Sequence, residues 1–404
     1  DLDHVIMAES LTDSVWLWHD FQNDIIPTLE EQGWNFQIDE SFYLKVEEGN
    51  DWYGELNEDT SSDWFEINLG IEINGQSVNL LPSLVQLLVD EKNPQQLRES
   101  ILSREYIMLP VNDDDRPRWV KLPANRVMGI FDTLVELYDT DALNSSGNLK
   151  LSKHQGLQIG ALLNQPDMKW KGANELQKLT RKLQDFKGIE ERNPPENLQT
   201  ELRDYQRDGL NWLQFLREYH FNGILADDMG LGKTVQALAH LLYEKQSNKV
   251  NKPTLVIAPT SLMGNWKREA KRFTPDLRVL LLHGAERQAL FTEIEQYDIV
   301  LTTYALVLRD KDIHSKQHYH YVILDESQNI KNARSKTAQF IFQLQSDHRL
   351  CMTGTPMENH LGELWSLFHF LMPGFMGPLE RFNRLFRNPI EKQGDGDRQA
   401  QLHN

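Results

Sequence analysis

Two short segments of this 404-residue sequence carry side chains whose types and spacing could do chemistry on phosphates. The first is Asp227-Asp228-Met229-Gly230-Leu231-Gly232-Lys233-Thr234. Glycines at this spacing let main-chain N–H groups curl around phosphate oxygens. Lys233 adds a point charge for the terminal phosphates, and Thr234 offers a hydroxyl to Mg2+. The second segment, Asp325-Glu326-Ser327-Gln328, lies about ninety residues further on. Of its two adjacent carboxylates, one can hold a metal ion and the other can activate water. The pair of segments points to hydrolysis of a nucleoside triphosphate.

Such groups need elements that deliver them to one place. The apolar run Gly223 to Ala226 leads into the first segment, and a helix-like run from Thr234 to Leu242 leaves it. A second apolar run, Tyr321 to Leu324, delivers the two acids. Similar short runs recur at Thr254–Ala258, Val279–Leu282, Asp298–Thr302 and Arg349–Thr353, with helix-like stretches between most of them. Uninterrupted apolar strands separated by helices predict a parallel sheet covered on both faces, an α/β fold. Nearly every run ends in a polar or glycine cluster, and open α/β sheets bind their ligands at the carboxyl ends of their strands. The glycine-loop pattern G-x-x-x-x-G-K-[ST] would place glycine at position 227, where this chain has Asp227.

The N-terminal part has another character. Residues 1–150 carry 30 Asp and Glu against 9 Lys and Arg, a net of −21, whereas residues 151–404 carry 30 against 33, a net of +3. The overall charge of −18 is therefore a property of one segment, and the remainder is not repelled from nucleic acid. Phe65, Ile67, Leu69, Ile71 and Ile73 alternate with polar residues or glycine, a half-buried strand, and Asn74-Gly75 predicts a tight hairpin. Tyr106–Leu109 and Trp119–Leu122 predict a further strand pair around Asp113-Asp114-Asp115. Residues 1–150 thus read as an acidic α+β domain, with Trp16, Trp18, Trp34, Trp52 and Trp64 as packing residues. Residues 151–200 read as a helical connector. Asn174 to Phe186 is amphipathic there, with Leu176, Leu179, Leu183 and Phe186 on one face and Asn174 as cap, and Asn193-Pro194-Pro195 marks a boundary.

Several classes are excluded. No apolar stretch approaches the ~18–20 residues of a membrane-spanning helix. The single cysteine, Cys351, allows neither a disulfide within the chain nor a cysteine-based zinc site, and it fits a reducing compartment. His314, His318 and His320 stand among Lys and Gln residues and are expected in a surface loop. The chain opens on Asp1 rather than methionine or a basic leader, as expected of a fragment.

Further strings complete a pattern. Leu202-Arg203-Asp204-Tyr205-Gln206, with Gly209-Leu210 and Trp212-Leu213, resembles the adenine-reading segment of superfamily 2 ATPases, and more narrowly that of the Swi/Snf-type remodelling and translocase family. The loop from Asp227 to Thr234 is similar to that family's phosphate loop, including the acid in place of glycine. Ala258-Pro259-Thr260-Ser261-Leu262 with Asn265-Trp266 resembles its motif Ia, and Leu301-Thr302-Thr303-Tyr304 its motif Ib. Asp325-Glu326-Ser327-Gln328 resembles motif II, where alanine or glycine is more usual than Ser327. Met352-Thr353-Gly354-Thr355-Pro356, with Glu358-Asn359 and Glu363 to Leu367, resembles motif III and its continuation. The strings stand in the family's order over residues 202–374.

The resemblance implies a RecA-like first lobe over residues 201–374, with ATP and Mg2+ as cofactors. Residues 375–404, which hold Arg381, Arg384 and Arg387 but no strand pattern, would begin the connection to a second RecA-like lobe whose arginines complete the site. Gln206 would read adenine with Arg203 in support. Asp228, Met229, Gly230, Leu231, Gly232, Lys233 and Thr234 would surround the phosphates, and Thr234 and Asp325 would hold the metal. Glu326 would polarise the attacking water beside Asp325, Lys233 and Gln328. Gln328, Thr353, Gly354 and Thr355 would couple nucleotide state to grip on DNA. Thr260, Ser261, Asn265, Lys267, Thr302 and Thr303 would meet the backbone of double-stranded DNA without reading its sequence. The implied activity is that of a DNA-dependent ATPase moving along duplex DNA, nearly inactive without the second lobe. The implied place is the cytoplasm, on the bacterial nucleoid, with the N-terminal domain as a candidate docking point for a protein partner. The alternatives are a nucleotide-sensing binding module and the motor subunit of a restriction or anti-phage complex.

Overall fold

The structure is a computed structural model. It describes residues 11–38, 46–49, 51–58, 64–73, 75–90, 94–113, 116–137, 143, 147–152, 159, 168–172, 174–247, 250–357 and 359–394, with positions 396, 399 and 402 beyond. The chain divides into two compact units, Asp1–Asp185 and Phe186–Asn404.

Among its described residues, the first unit holds two sheets. In one, β2 (Asp51–Glu58), β3 (Trp64–Ile73) and β4 (Gln76–Asn79) run antiparallel, β7 (Leu149–Ser152) pairs with β3, and β8 (Met168–Lys171) lies parallel to β2. In the other, β6 (Arg116–Pro123) lies between β5 (Tyr106–Asp113) and β1 (Val46–Glu48). Among the described residues its helices are α1 (Leu11–Asp20), α2 (Ile26–Glu31), α3 (Leu81–Asp90), α4 (Pro94–Leu102), α5 (Ala124–Leu137) and α6 (Asn174–Gln184). The alternation along β3 buries Phe65, Ile67, Leu69, Ile71 and Ile73 in one core, together with Leu84, Phe131 and Leu176 from the helices. Of the expected hairpin, Gly75 adopts positive φ, and Asn74 lies outside the described residues, as do Asp114 and Asp115 of the other turn. Trp52 is buried, whereas Trp34 is 62% exposed and packs little. Residues 149–171, partly in the stretch expected to be a helical connector, supply two strands to the first unit instead. Their short length and interleaved lysines hide them from a periodicity reading.

The second unit is built on six parallel strands. They are β9 (Gly223–Leu225), β10 (Thr254–Ala258), β11 (Val279–Leu281), β12 (Ile299–Thr303), β13 (His318–Asp325) and β14 (Gln345–Met352), in the order β11-β12-β10-β13-β14-β9. Each contains or overlaps one of the six apolar runs. Every residue of β10 is buried, as expected for a parallel strand covered on both faces. Alternate residues serve opposite cores. Val256, Ile323 and Met352 pack with α7 (Asp204–Glu218), α8 (Lys233–Gln246) and α9 (Thr260–Phe273). Ile257, Val322, Leu324 and Cys351 pack with α10 (Tyr304–Arg309), α12 (Lys336–Phe342) and α13 (Leu361–Leu371). Short α11 (Lys311–His314) precedes β13, and α14 (Leu379–Phe382) begins a helical stretch that runs to Gln393. Among the described residues, no helix is long and apolar enough to cross a membrane.

This order places β14 between β9 and β13. The loop after β9, the acids at the end of β13 and Thr353 after β14 therefore share one edge of the sheet, the carboxyl edge where a ligand crevice is expected.

Candidate active site at the carboxyl ends of the parallel strands

The loop between β9 and α8 is tight because two of its residues take left-handed conformations that only glycine adopts without strain: Gly230 at φ 86° and Gly232 at φ 82°. A Cβ on Gly232 would also lie 2.7 Å from the Gln206 amide. That amide ties α7 to the loop. Gln206 Nε2 donates to the Leu231 carbonyl at 3.0 Å, the Tyr205 hydroxyl donates to the same oxygen at 3.1 Å, and Gln206 Oε1 accepts from the Arg203 N–H at 3.0 Å. Each end of the Gln206 side chain keeps one further hydrogen-bonding position, enough to read a base while holding the loop. Asp227, where glycine was expected, accepts from Gln236 Nε2 at 2.7 Å and so anchors the loop to α8. Lys233 is buried, and its ammonium donates to the carbonyls of Asp227 at 2.7 Å and Asp228 at 3.1 Å. Thr234 is half-buried at the start of α8, and Asp228 and Met229 are exposed.

On β13, Asp325 is buried and its two oxygens are separately held. Trp266 Nε1 of α9 donates to Oδ2 at 2.7 Å, and the Glu326 N–H donates to Oδ1 at 3.0 Å. Burial pushes the Asp325 carboxyl above its usual range, while the Trp266 indole, the Glu326 N–H and the Lys233 charge pull against that shift. Glu326 itself sits at φ 51°, left-handed for a non-glycine residue. Strain of this kind persists where surrounding contacts enforce it. Here the carbonyls on either side are held, that of Asp325 by the Tyr304 hydroxyl at 2.9 Å and that of Glu326 by the Asn329 amide at 2.7 Å.

From Glu326 a chain of hydrogen bonds crosses to the next strand. Gln328 Nε2 donates to Glu326 Oε2 at 2.9 Å, the Thr353 hydroxyl donates to Gln328 Oε1 at 3.0 Å, and the Thr355 N–H donates to the Thr353 oxygen at 3.0 Å. Gly354 lies against Met229 of the phosphate loop, where a Cβ would come within 3.2 Å of Cγ. Ser327, where alanine or glycine is more usual, is fully buried against Cys351.

The residues fit ATP with Mg2+. The Lys233 ammonium rests on carbonyls that phosphate oxygens can replace. Each Asp325 oxygen accepts one hydrogen bond, from Trp266 or from the Glu326 N–H, and so keeps a lone pair for a metal-bound water, with the Thr234 hydroxyl on the same edge.

Thr260, Ser261 and Lys267 are exposed on α9, and Asn265 is half-buried between Arg268 and Glu269, at 2.7 Å from each. Thr302 and Thr303 require a correction. Thr302 is fully buried on β12, and the buried Thr303 hydroxyl caps α10 by accepting from the Leu306 N–H at 3.3 Å. Neither side chain is displayed to a polymer, because these hydroxyls end a strand that is covered on both faces.

The histidine reading is also corrected. Only His318 is exposed. His314 is fully buried with Nδ1 2.7 Å from the Tyr319 hydroxyl, and His320 is buried on β13, which starts three residues before the apolar run. His320 lies 3.6 Å from Glu244 and 3.7 Å from Asp347, and Arg217 Nε donates to Glu244 at 2.8 Å. Burial pushes His240 down to about 4 and His348 down to about 3. Burial also acts to lower His320, but its bonds to Asp347 and Glu244 outweigh that and leave it raised. The alternation of histidine and tyrosine in His318-Tyr319-His320-Tyr321 was the available strand signal. The acids that make it tolerable come from other elements.

Residues 205–404 match the family described as SNF2-related domain. The chain is 39% identical over 297 residues to YwqA of Bacillus subtilis, whose name assigns it to the ATP-dependent helicases/translocases; the match covers 71% of this chain and 32% of that protein. It is 41% identical over 209 residues to the TATA-binding protein-associated factor MOT1 of Saccharomyces cerevisiae, covering 48% of this chain and 11% of that one. Among solved structures it is similar to the Sulfolobus solfataricus SWI2/SNF2 ATPase core in complex with dsDNA, with 39% identity, a TM-score of 0.50, and coverage of 53% of this chain and 44% of that one. The chain spans about a third or less of the length of these two relatives.

Proposed function

Since the chain belongs to the SNF2 family through its SNF2-related domain at residues 205–404, we propose that its second unit is the ATP-binding first lobe of a motor that moves along double-stranded DNA in the cytoplasm. The observation that carries this reading is the unbroken hydrogen-bonded path from Glu326 through Gln328 to Thr353, beside a loop whose Lys233 ammonium donates to two main-chain carbonyls.

In this reading the N–H groups around Gly230 and Gly232 cradle the phosphates, and the Lys233 ammonium exchanges its carbonyl partners for phosphate oxygens. Mg2+, when bound, neutralises charge on the phosphates. Thr234 and Asp325 are the residues that would hold it. Glu326 accepts the proton of the attacking water, and Gln328 fixes the carboxylate for that role. Gln206 meets the adenine with Arg203 beside it. Thr260, Ser261, Asn265 and Lys267 contact the DNA backbone, a sequence-independent grip supported by the duplex in the Sulfolobus relative's structure. Thr353, Gly354 and Thr355 pass nucleotide state to that grip. A second RecA-like lobe supplies arginines to the transferred phosphoryl, and the acidic N-terminal unit is where a protein partner would dock.

The test is calorimetric binding of ATP with Mg2+ to the 404-residue chain. Lys233→Ala is expected to abolish binding and Glu326→Gln to retain it. Hydrolysis by the chain alone should fall about 10³–10⁵-fold below that of the chain joined to a second lobe, the usual worth of an arginine finger. Equal binding by the wild type and the Lys233→Ala variant refutes the site.

A further inference from the structure

We propose that Trp266 is the positioning residue for the metal-holding carboxylate, fixing Asp325 so that its remaining lone pairs face the nucleotide. The inference rests on the ATP-site reading and adds to it a residue that makes no contact with nucleotide or metal.

Trp266 is 1% exposed and packs in the core between the sheet and α9. An apolar ring would satisfy that packing. The indole instead directs its one polar atom at Asp325 Oδ2, at 2.7 Å, a length usual for a charge-assisted hydrogen bond. Three features follow from this choice of partner. Indole N–H is a donor only, so it favours the ionised carboxylate, the form a metal requires. It has no lone pair with which to compete for the cation. It also comes from a rigid helix, so Oδ2 is fixed by α9 while Oδ1 is fixed by the next residue's N–H at 3.0 Å. With both oxygens held, the plane of the carboxylate is set before any ligand arrives. Lys233, the cation that also favours ionised Asp325, is expected to turn to phosphate on binding, whereas the neutral Trp266 donor is not diverted. Outer partners of this kind typically carry about 10–100-fold of metal affinity.

The experiment compares the 404-residue chain with Trp266→Phe, which keeps the aromatic packing and removes the donor. ATP affinity is measured by calorimetry with excess Mg2+ and with EDTA, and Asp325→Asn serves as the reference for a lost metal ligand. In the wild type and in the variant, the gain in ATP affinity on adding Mg2+ is the readout. It is expected to shrink about 10–100-fold in Trp266→Phe, approaching Asp325→Asn, while affinity for metal-free ATP stays within about twofold. A merely structural role would weaken both affinities together and leave the Mg2+ gain unchanged, and that result overturns the proposal. If Trp266→Phe does not fold, replacing Trp266 by 3-benzothienylalanine, which has the same ring shape and sulfur for N–H, gives the same two outcomes. Failure of the wild type to bind ATP at all would instead refute the ATP site, and with it this proposal. Normal wild-type binding with an unchanged Mg2+ gain in the variant refutes the role of Trp266 alone.

Discussion

His348→Phe should make the second unit less sensitive to acid. His348 lies on β14 with 7% of its surface exposed, stacked on Tyr321 at 4.8 Å, so a phenyl ring can take its place without opening a cavity. Burial and the neighbouring His320 charge hold its imidazole down at about 3. In the unfolded chain it titrates near ~6.5. Between those values the unfolded chain binds a proton that the folded chain does not, so stability is present above pH ~6.5 and is lost as the pH falls toward the folded value. From pH ~7.5 to ~5.5 the unfolded histidine goes from about one-tenth to about nine-tenths protonated, which costs the fold about 1.3 kcal/mol. That figure depends on the unfolded value alone, because any folded value below ~4.5 leaves the ring neutral at pH ~5.5. His240, held at about 4 mainly by burial, acts in the same direction. His320 acts oppositely: its raised value makes its contribution grow as the pH falls. The difference between wild type and variant isolates the His348 share. Urea unfolding followed by far-UV circular dichroism at the two pH values should show the variant losing about 1.3 kcal/mol less than the wild type. Equal losses in the two proteins would refute the reasoning.

Two other substitutions probe the site's supports. Gly209→Ala would drive a Cβ into the fully buried Gln236 amide oxygen and force that side chain aside; stability should fall by about 1–3 kcal/mol in urea unfolding, and ATP affinity should fall as Gln236 leaves Asp227. Thr353→Val removes the hydroxyl that holds Gln328, so the chain joined to a second lobe should hydrolyse ATP about five- to tenfold more slowly with unchanged ATP affinity, about one hydrogen bond's worth; normal turnover would detach Thr353 from the path to Glu326.

What the sequence made legible, and what it hid, follows the range of the interactions. The six strands of the parallel sheet were readable because burial on both faces leaves no polar alternation, and the runs at Gly223–Ala226, Tyr321–Leu324 and Arg349–Thr353 end where the candidate site begins. β13 was cut short in that reading because its first turns carry histidines whose partners, Glu244 on α8 and Asp347 on β14, lie 76 and 27 residues from His320 in the sequence. A polar residue inside a sheet is recognisable only with its partner in view. The same limit explains Thr302 and Thr303, which look like surface hydroxyls when the covering helices are left out. It also explains Trp266, an aromatic residue at helical spacing whose donor meets Asp325 59 positions away. The phosphate loop needed no such context, since its glycines act through their own backbone and Lys233 through a side chain of the same short segment. Its departure at Asp227 did need it: only the Gln236 amide, one turn into α8, shows why an acid can stand there and still hold the loop in shape. Local motifs thus announced the reacting groups, and the residues that aim them became visible only when the sheet brought distant segments to one edge.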